Sequence, residues 1–193
     1  MIRLQNNPIS QHYVNVCKPT WEAFGYNNIW LFDGITPETI EERCPIKLKF
    51  GKKTSGWTGK KNRPFTPTEI AVWYSHYYLW RRIRRLGRPA IVIEHDNALT
   101  EDIPNTIEMY NLRAFCRHER KPVLMAGSAY YVTPEGCDTL IKDKKLDNIK
   151  QNVDGHLLQQ PNQTPFKDDI DTNTYATVVY DAAIGTTIDH GNR

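Results

Sequence analysis

The chain has 193 residues, of which 39% are hydrophobic and 24% are charged, with a net charge of +3. This composition excludes an intrinsically disordered protein, and the length favours one domain over residues 1–193. No stretch approaches the roughly 20 apolar residues of a membrane-spanning helix and the N-terminus turns polar at once, so we expect a cytoplasmic protein without a signal peptide.

The first part of the chain alternates short apolar runs with helix-like stretches, which favours an α/β fold. A first strand is predicted at residues 2–4, followed by a helix with Ser10 as its cap and Gly25 at its end. A second strand is predicted at residues 28–32, and it ends at Asp33. A short helix capped by a threonine follows it.

Residues 47–65 combine seven Lys and Arg residues with three glycines around Trp57. This composition predicts a basic loop on the surface. One interpretation is a loop that folds over a diphosphate or a sugar ring, and the other is a solvated loop. The candidate lysines for the first interpretation are Lys52, Lys53, Lys60 and Lys61.

The best-specified helix begins at a predicted capping box, Thr66-Pro67-Thr68-Glu69, and ends before Gly87. Its aliphatic residues and one histidine fall on a single stripe, so we expect His76 to point towards the interior. The stripe consists of Val72, His76, Leu79, Ile83 and Leu86.

An apolar run at residues 90–93 predicts a buried strand, and it leads into Glu94-His95-Asp96. In an extended chain, Glu94 and Asp96 point to one face and His95 points away. Carboxylates at the carboxyl end of a buried strand are typical of ligand sites in α/β sheets, and their oxygens suit Mg²⁺ or Mn²⁺. The alternative interpretation is a charged turn after a strand.

A second unit repeats this logic further along the chain. Apolar residues 123–127 lead to a strand at residues 129–132, and Thr133 caps a helix towards Ile141. Residues 159–173 are polar and loop-like, and a late strand is predicted at residues 176–180.

Several motifs resemble glycosyltransferase family 25, which includes lipooligosaccharide and collagen galactosyltransferases. The helix motifs are Glu69-Ile70, Ser75-His76 and Leu79-Trp80, which precede the apolar strand and its acidic triplet. The later motifs are the segment from Gly127 to Gly136, Val153-Asp154 and Thr186-Thr187-Ile188. The chain departs from the family in having His95 as the middle residue of the triplet and no arginines at residues 7–12.

The resemblance implies a GT-A-like (Rossmann-like) domain with a mixed central sheet flanked by helices. It also implies transfer of a sugar, with galactose as one candidate, from a UDP-sugar to a glycan or other hydroxyl acceptor in lipopolysaccharide biosynthesis. The transfer would invert the anomeric carbon with the help of Mn²⁺ or Mg²⁺.

The candidate site residues follow from these patterns and this resemblance. Asp154 and His76 are candidate catalytic residues, and Asp96, Glu94 and His190 are candidate metal ligands. The candidate contacts to the nucleotide sugar are Glu94, Ser10, Asp33, Lys52 and Lys53. Asp154 also fits a helix-capping or loop aspartate, and His190 also fits a frayed tail.

Two other functions compete with the enzyme. Residues 1–90 hold 15 Lys and Arg against 6 Asp and Glu, and residues 91–193 hold 10 against 16. This asymmetry suits nucleic acid as well as an anionic substrate, although the chain contains no recognised nucleic-acid module. The third candidate is a nucleotide-sugar-binding protein without catalysis. The four cysteines form no C-x-x-C pair, so we expect free thiols and no structural zinc.

Overall fold

The computed structural model describes residues 1–54, 63–109, 111–118, 121–124, 126–158 and 175–179. The helices in these ranges are α1 (Pro8–Ala23), α2 (Ile40–Arg43), α3 (Pro67–Leu86), α4 (Pro134–Lys142) and α5 (Val153–Leu158). The first strands are β1 (Ile2–Arg3), β2 (Phe32–Asp33), β3 (Ala90–Ile93) and β4 (Asn97–Leu99). The later strands are β5 (Leu112–Ala114), β6 (Cys116–His118), β7 (Lys121–Leu124), β8 (Ala129–Val132) and β9 (Ala176–Val178).

The strands next to the acidic triplet pair in both directions. β1 and β2 are parallel, and a single parallel bridge joins Ile2 of β1 to Glu94 at the end of β3. β8 lies between β3 and β5 and is antiparallel to both. β1-β2 and β3-β8-β5 are thus two small sheets, and the third sheet of the described residues has the order β4-β9-β6-β7. The mixture of helices and sheets confirms the predicted α/β class.

β8 separates two hydrophobic cores. Tyr130 and Val132 pack into the core that contains α3 and α4, whereas Ala129 and Tyr131 pack into the core that contains α1. Because alternate residues of a strand point to opposite faces, this short strand contributes to both sides of the sheet. The predicted apolar strand at residues 90–93 is confirmed, with Val92 and Ile93 likewise in different cores.

The start of α1 differs from the prediction. Asn7, and not Ser10, is the N-cap, because the Asn7 side chain accepts a hydrogen bond from the Ser10 backbone N–H at 2.9 Å. Pro8 occupies the first helical position, where a missing N–H costs nothing. The helix ends at Ala23, two residues before Gly25, whose positive φ of 90° suits glycine.

The second strand is shorter than predicted and lies later in the chain. It covers only Phe32 and Asp33, because its parallel partner β1 is also only two residues long. The short helix after it begins as predicted, with Thr36 as the cap of a 3₁₀ turn at Pro37–Thr39 that continues into α2.

The capping box of α3 is confirmed. The Thr66 hydroxyl accepts from the Glu69 N–H at 3.2 Å, and the Glu69 carboxylate accepts from the Thr66 N–H at 2.9 Å. The helix ends at Leu86, and Gly87 follows with a left-handed φ of 67°.

The predicted inward stripe of α3 is only partly correct. His76 and Ile83 are buried, but Leu86 is exposed, and the large buried residues of this face are Trp73, Tyr77 and Trp80. A second side of the helix is covered as well, since Ala71 and Tyr74 pack with Ile35 and Cys44. A helix covered on two sides does not show one narrow apolar stripe.

The later predictions are also confirmed in part. Thr133 caps α4 through the Gly136 N–H, and the late strand β9 covers Ala176–Val178. All four cysteines are free and buried. Among the described residues, no helix is both long enough and apolar enough to cross a membrane. Residues 159–173 of the predicted loop lie outside the described ranges.

Candidate active site

The acidic triplet is a tight turn and not an extended segment. His95 and Asp96 are turn residues, and the Asn97 N–H donates to the Glu94 carbonyl at 3.2 Å. The expectation that strand alternation places Glu94 and Asp96 on one face is therefore wrong. The two carboxylates still interact, because the charge of Glu94, after burial, contributes to raising the pKa of Asp96.

Both oxygens of the Glu94 carboxylate are held by neighbouring side chains. Glu94 Oε1 lies 3.5 Å from His76 Nε2, and Glu94 Oε2 accepts from the Ser128 hydroxyl at 3.0 Å. The backbone is fixed too, since the Glu94 N–H donates to the Ser128 carbonyl at 2.8 Å. Glu94 therefore has a defined position and orientation in the folded protein.

A buried chain of hydrogen bonds orients His76 towards Glu94. Trp80 Nε1, which can only donate, is 2.7 Å from the Tyr130 hydroxyl oxygen. The Tyr130 hydroxyl is 2.9 Å from His76 Nδ1, so its own hydrogen is free to be donated there. This arrangement leaves the proton of a neutral His76 on Nε2, where it can be donated to Glu94. The predicted interior position of His76 beside the triplet is confirmed.

The two acidic side chains differ in their electrostatics. Burial acts to raise the pKa of Glu94, but the hydrogen bond and charge of His76, with His95 and Ser128, bring that pKa below its ordinary value. Burial, and then the charge of Glu94, raises the pKa of Asp96 to about 7. Glu94 is therefore the stably ionised member of the pair.

Asp96 has a buried oxygen that nothing in the described part of the chain satisfies. Its Oδ1 is inaccessible to solvent and has no hydrogen-bond partner among the described residues. Such an atom is costly unless a ligand or an ion completes it. Glu94 and Asp96 together thus have the chemistry of a site for a hard divalent cation.

Asp154 lies in the same electrostatic environment. Its Oδ1 accepts from the Gly127 N–H at 2.8 Å, and its Oδ2 accepts from the Asn152 side chain at 3.0 Å. Burial, and then the charge of Glu94, raises the pKa of Asp154 against the opposing hydrogen bond from Gly127. The capping alternative for Asp154 is wrong, because Asn152 accepts from the Gly155 N–H in the first turn of α5.

The residues at the ends of β1 and β2 lie at the same edge of the sheet as Glu94. Arg3 pairs with Asp33 in register, and Arg3 Nε lies 3.1 Å from Asp33 Oδ1. Ser10 is fully buried in α1, where its hydroxyl accepts from the Leu4 N–H at 2.8 Å. Contacts of Asp33 and Ser10 with a nucleotide stay predictions.

The two lysines of the basic loop have different environments. Lys52 is exposed, whereas Lys53 is buried and its ammonium lies 2.6 Å from Glu69 Oε1. Arg63 also contacts Glu69, at 2.7 Å and 2.8 Å. Despite the opposing effect of burial, these cations and the Thr66 N–H lower the pKa of Glu69 to about 2. Lys53 is therefore engaged in a structural ion pair in this conformation.

The predicted metal ligands are only partly placed by the structure. Within the described ranges, no group of three or more His, Cys, Asp and Glu side chains is arranged to hold a metal ion. Glu94 and Asp96 would thus supply two ligands. His190, Lys60 and Lys61, together with the motif at residues 186–188, lie outside the described residues.

Sequence reasoning missed the partners that position the acidic groups. These are Ser128, Tyr130, Trp80 and Asn152. Ser128 is the last turn residue before β8 and Tyr130 lies within that strand, so strand alternation was no guide to their shared role. No local pattern indicated Trp80 or Asn152 as a partner.

One comparison with known proteins identifies a family. The family model for glycosyltransferase family 25 (LPS biosynthesis protein) matches residues 22–121, which is more than half of the chain. The matched range contains His76, Glu94 and Asp96, while Asp154 lies beyond it. No curated protein and no solved structure matches the chain. On the family match, the chain belongs to glycosyltransferase family 25.

Proposed function

We propose that this protein transfers a sugar from a UDP-sugar to a hydroxyl group of a glycan acceptor, with inversion at the anomeric carbon and with the help of Mn²⁺ or Mg²⁺. The observation that carries the proposal is the unsatisfied, buried Oδ1 of Asp96 beside the ionised Glu94. The family match supports the reaction class.

Glu94 and Asp96 are the residues that would hold the ion. A divalent cation there would neutralise the negative charge on the departing diphosphate. His76 and Ser128 act through Glu94, because each contacts one of its two oxygens and fixes the direction in which the carboxylate points. His76 is in this sense a positioning residue, since it acts on the site through the orientation of Glu94.

Asp154 is the proposed general base. Inverting transfer breaks the bond between the anomeric carbon and the diphosphate, while the acceptor oxygen forms a new bond and loses its proton. Asp154 would take that proton, and its raised pKa makes it a stronger base than an ordinary aspartate. The bonds from Gly127 and Asn152 occupy one site on each oxygen and leave further lone pairs for the acceptor.

A protein that binds a nucleotide sugar without transferring it is the second candidate. The observation that favours it is the burial of His95, the residue at the family's middle acidic position. A histidine there adds no carboxylate to the site, and its burial lowers the pKa of its imidazole.

The test combines UDP binding with turnover. Calorimetry with UDP should show binding that requires Mn²⁺ in the wild type, and Asp96→Asn should weaken it at least about tenfold, since a neutral amide is a poor ligand for a hard cation. Asp102→Asn, at an exposed position, is the matched control and should bind as the wild type does.

Release of UDP from a UDP-sugar separates the two candidates. Mn²⁺-dependent release that Asp96→Asn abolishes supports the transferase. Binding without release, for every UDP-sugar and acceptor tried, supports the non-catalytic protein. Equal UDP affinity of Asp96→Asn and the wild type in the presence of Mn²⁺ would refute the metal assignment.

A further inference from the structure

A groove of about 600 Å³ lies beside the C-terminal half of α3. Strand β3 and residues 26–32 form its other walls, and its lining includes Trp21, Ile29, Ile83 and Ile91. Among the residues that the structure describes, none of the candidate catalytic, metal-binding or nucleotide-contacting residues lines it. The groove therefore requires an explanation of its own.

The rim of this groove exposes large apolar side chains. Trp30, Leu31 and Leu86 are exposed to 50%, 38% and 40%, and all three line the groove. Isolated exposed hydrophobic residues are ordinary, but several around one concave apolar surface indicate a binding face. We call these three residues and the groove they surround the groove face.

The charges on the groove face are all positive. Arg82 and Arg88 line the groove, and no Asp or Glu of the described ranges does. The Arg82 guanidinium lies 5.4 Å from the centre of the Trp30 ring, so a cation and an exposed aromatic ring are presented together. Neither arginine forms an ion pair with any residue in the described part of the chain.

Two of the neighbouring arginines of α3 are engaged elsewhere. Arg84 Nε lies 2.7 Å from Asp138 on α4, and Arg81 lies over the rings of Tyr77 and Tyr78. Only some of the arginines at this end of α3 are thus available to an external anion, and Arg82 and Arg88 are the two that also border apolar surface.

We propose that the groove face docks the protein onto a lipid bilayer that contains anionic phospholipids. Trp30, Leu31 and Leu86 would enter the interface between headgroups and acyl chains, where tryptophan is favoured. Arg82 and Arg88 would contact lipid phosphates, which guanidinium groups bind in a bidentate manner.

Two other occupants fit these observations less well. A nucleic-acid backbone would pair with the arginines but would leave the exposed Trp30, Leu31 and Leu86 without an apolar partner. A second copy of the chain, related by a two-fold axis, would bring the unpaired Arg82 and Arg88 of both copies together. A bilayer with acidic headgroups satisfies both the apolar rim and the charge. This proposal does not depend on the proposed transfer reaction.

The experiment is vesicle flotation with the full chain. Vesicles of phosphatidylcholine mixed with an equal part of phosphatidylglycerol should bind the protein at low salt, whereas pure phosphatidylcholine should bind it weakly. Each arginine near an anionic surface strengthens binding about fivefold, so R82Q/R88Q should lower the partition coefficient about 25-fold. Trp30→Ser should lower it about tenfold through lost apolar burial.

The charge-matched control is R81Q/R84Q, which removes the same net charge from arginines that do not line the groove. It should lower binding less than about threefold, since only the general attraction is reduced. Equal losses in R82Q/R88Q and R81Q/R84Q would show that net charge and not the groove face controls binding, and would overturn the proposal. So would the absence of binding to the mixed vesicles when circular dichroism shows the wild type to be folded. If the protein does not bind vesicles, two other results would assign the groove face to another occupant. One is salt-sensitive binding to nucleic acid, and the other is a dimer in solution that Trp30→Ser dissociates.

Discussion

The hydrogen-bond chain Trp80–Tyr130–His76–Glu94 leads to a prediction for Tyr130→Phe. The change removes one hydroxyl at a fully buried position and preserves the shape of the ring. Two polar atoms, Trp80 Nε1 and His76 Nδ1, then lose the partner that the hydroxyl provides. Each buried polar group left unsatisfied costs about 1–3 kcal/mol, so we expect the free energy of unfolding to fall by about 3 kcal/mol.

Urea denaturation followed by tryptophan fluorescence measures this difference. Tyr131→Phe is the matched control, because Tyr131 is the next residue on β8, is also buried, and makes no side-chain hydrogen bond to a described residue. It should change the free energy of unfolding by less than about 0.5 kcal/mol. If Tyr130→Phe costs no more than this control, the hydroxyl does not satisfy Trp80 and His76, and the orientation of His76 towards Glu94 has another origin.

Three further predictions concern the reaction, the pH dependence of stability and the start of α3. Asp154→Asn should lower kcat about 10²–10⁴-fold in the UDP-release assay with little change in donor affinity; a wild-type rate would make Asp154 structural. Burial lowers the pKa of His156 from 6.5 to about 4 in the folded protein. As the pH falls from 6.5 to 4, the unfolded chain therefore binds a proton on this histidine before the folded chain does, and the free energy of unfolding decreases. The full pKa shift corresponds to about 3 kcal/mol of stability. Urea titrations at pH 6.5 and pH 4 should therefore show a smaller decrease in the free energy of unfolding for His156→Gln than for the wild type, and an equal decrease would contradict the lowered pKa of His156. Thr66→Ala should cost about 1 kcal/mol in the same denaturation experiment, and Thr68→Ala, in the first turn without a capping bond, should cost less; equal costs would argue against the capping box.

The features that short-range chemistry controls were predictable from the sequence. Thr66 and Glu69 form a capping box because three residues of spacing bring each side chain to the other's backbone N–H. The same spacing brings the Thr133 hydroxyl to the Gly136 N–H at the start of α4. The apolar run at residues 90–93 forms a strand because both of its faces are covered. The pairing of His76 with the acidic triplet followed from the helix period and the family resemblance together.

The features that depend on distant contacts were not predictable. Asn7 replaced Ser10 as the cap of α1 because the Ser10 hydroxyl bonds to the Leu4 N–H of the preceding segment. The inward face of α3 was misjudged because residues 35–50 cover a second side of the helix. The turn at Glu94 was missed because it depends on strand β9, whose neighbour Val179 donates its N–H to the Asp96 carbonyl.

Glu69 caps α3 and also binds two cations from the basic loop at residues 47–65. Lys53 and Arg63 both contact its carboxylate, and the two residues also pair through their backbones. The two residues that flank positions 54–62 in the chain, Lys53 and Arg63, are therefore held together by their own bonds. Lengthening the chain between two joined positions destabilises a protein only slightly, because each doubling of the length costs about 0.6 kcal/mol of closure entropy. This position is consequently a natural site for insertions, where a segment can be exchanged or enlarged during evolution or by engineering while the start of α3 stays in place.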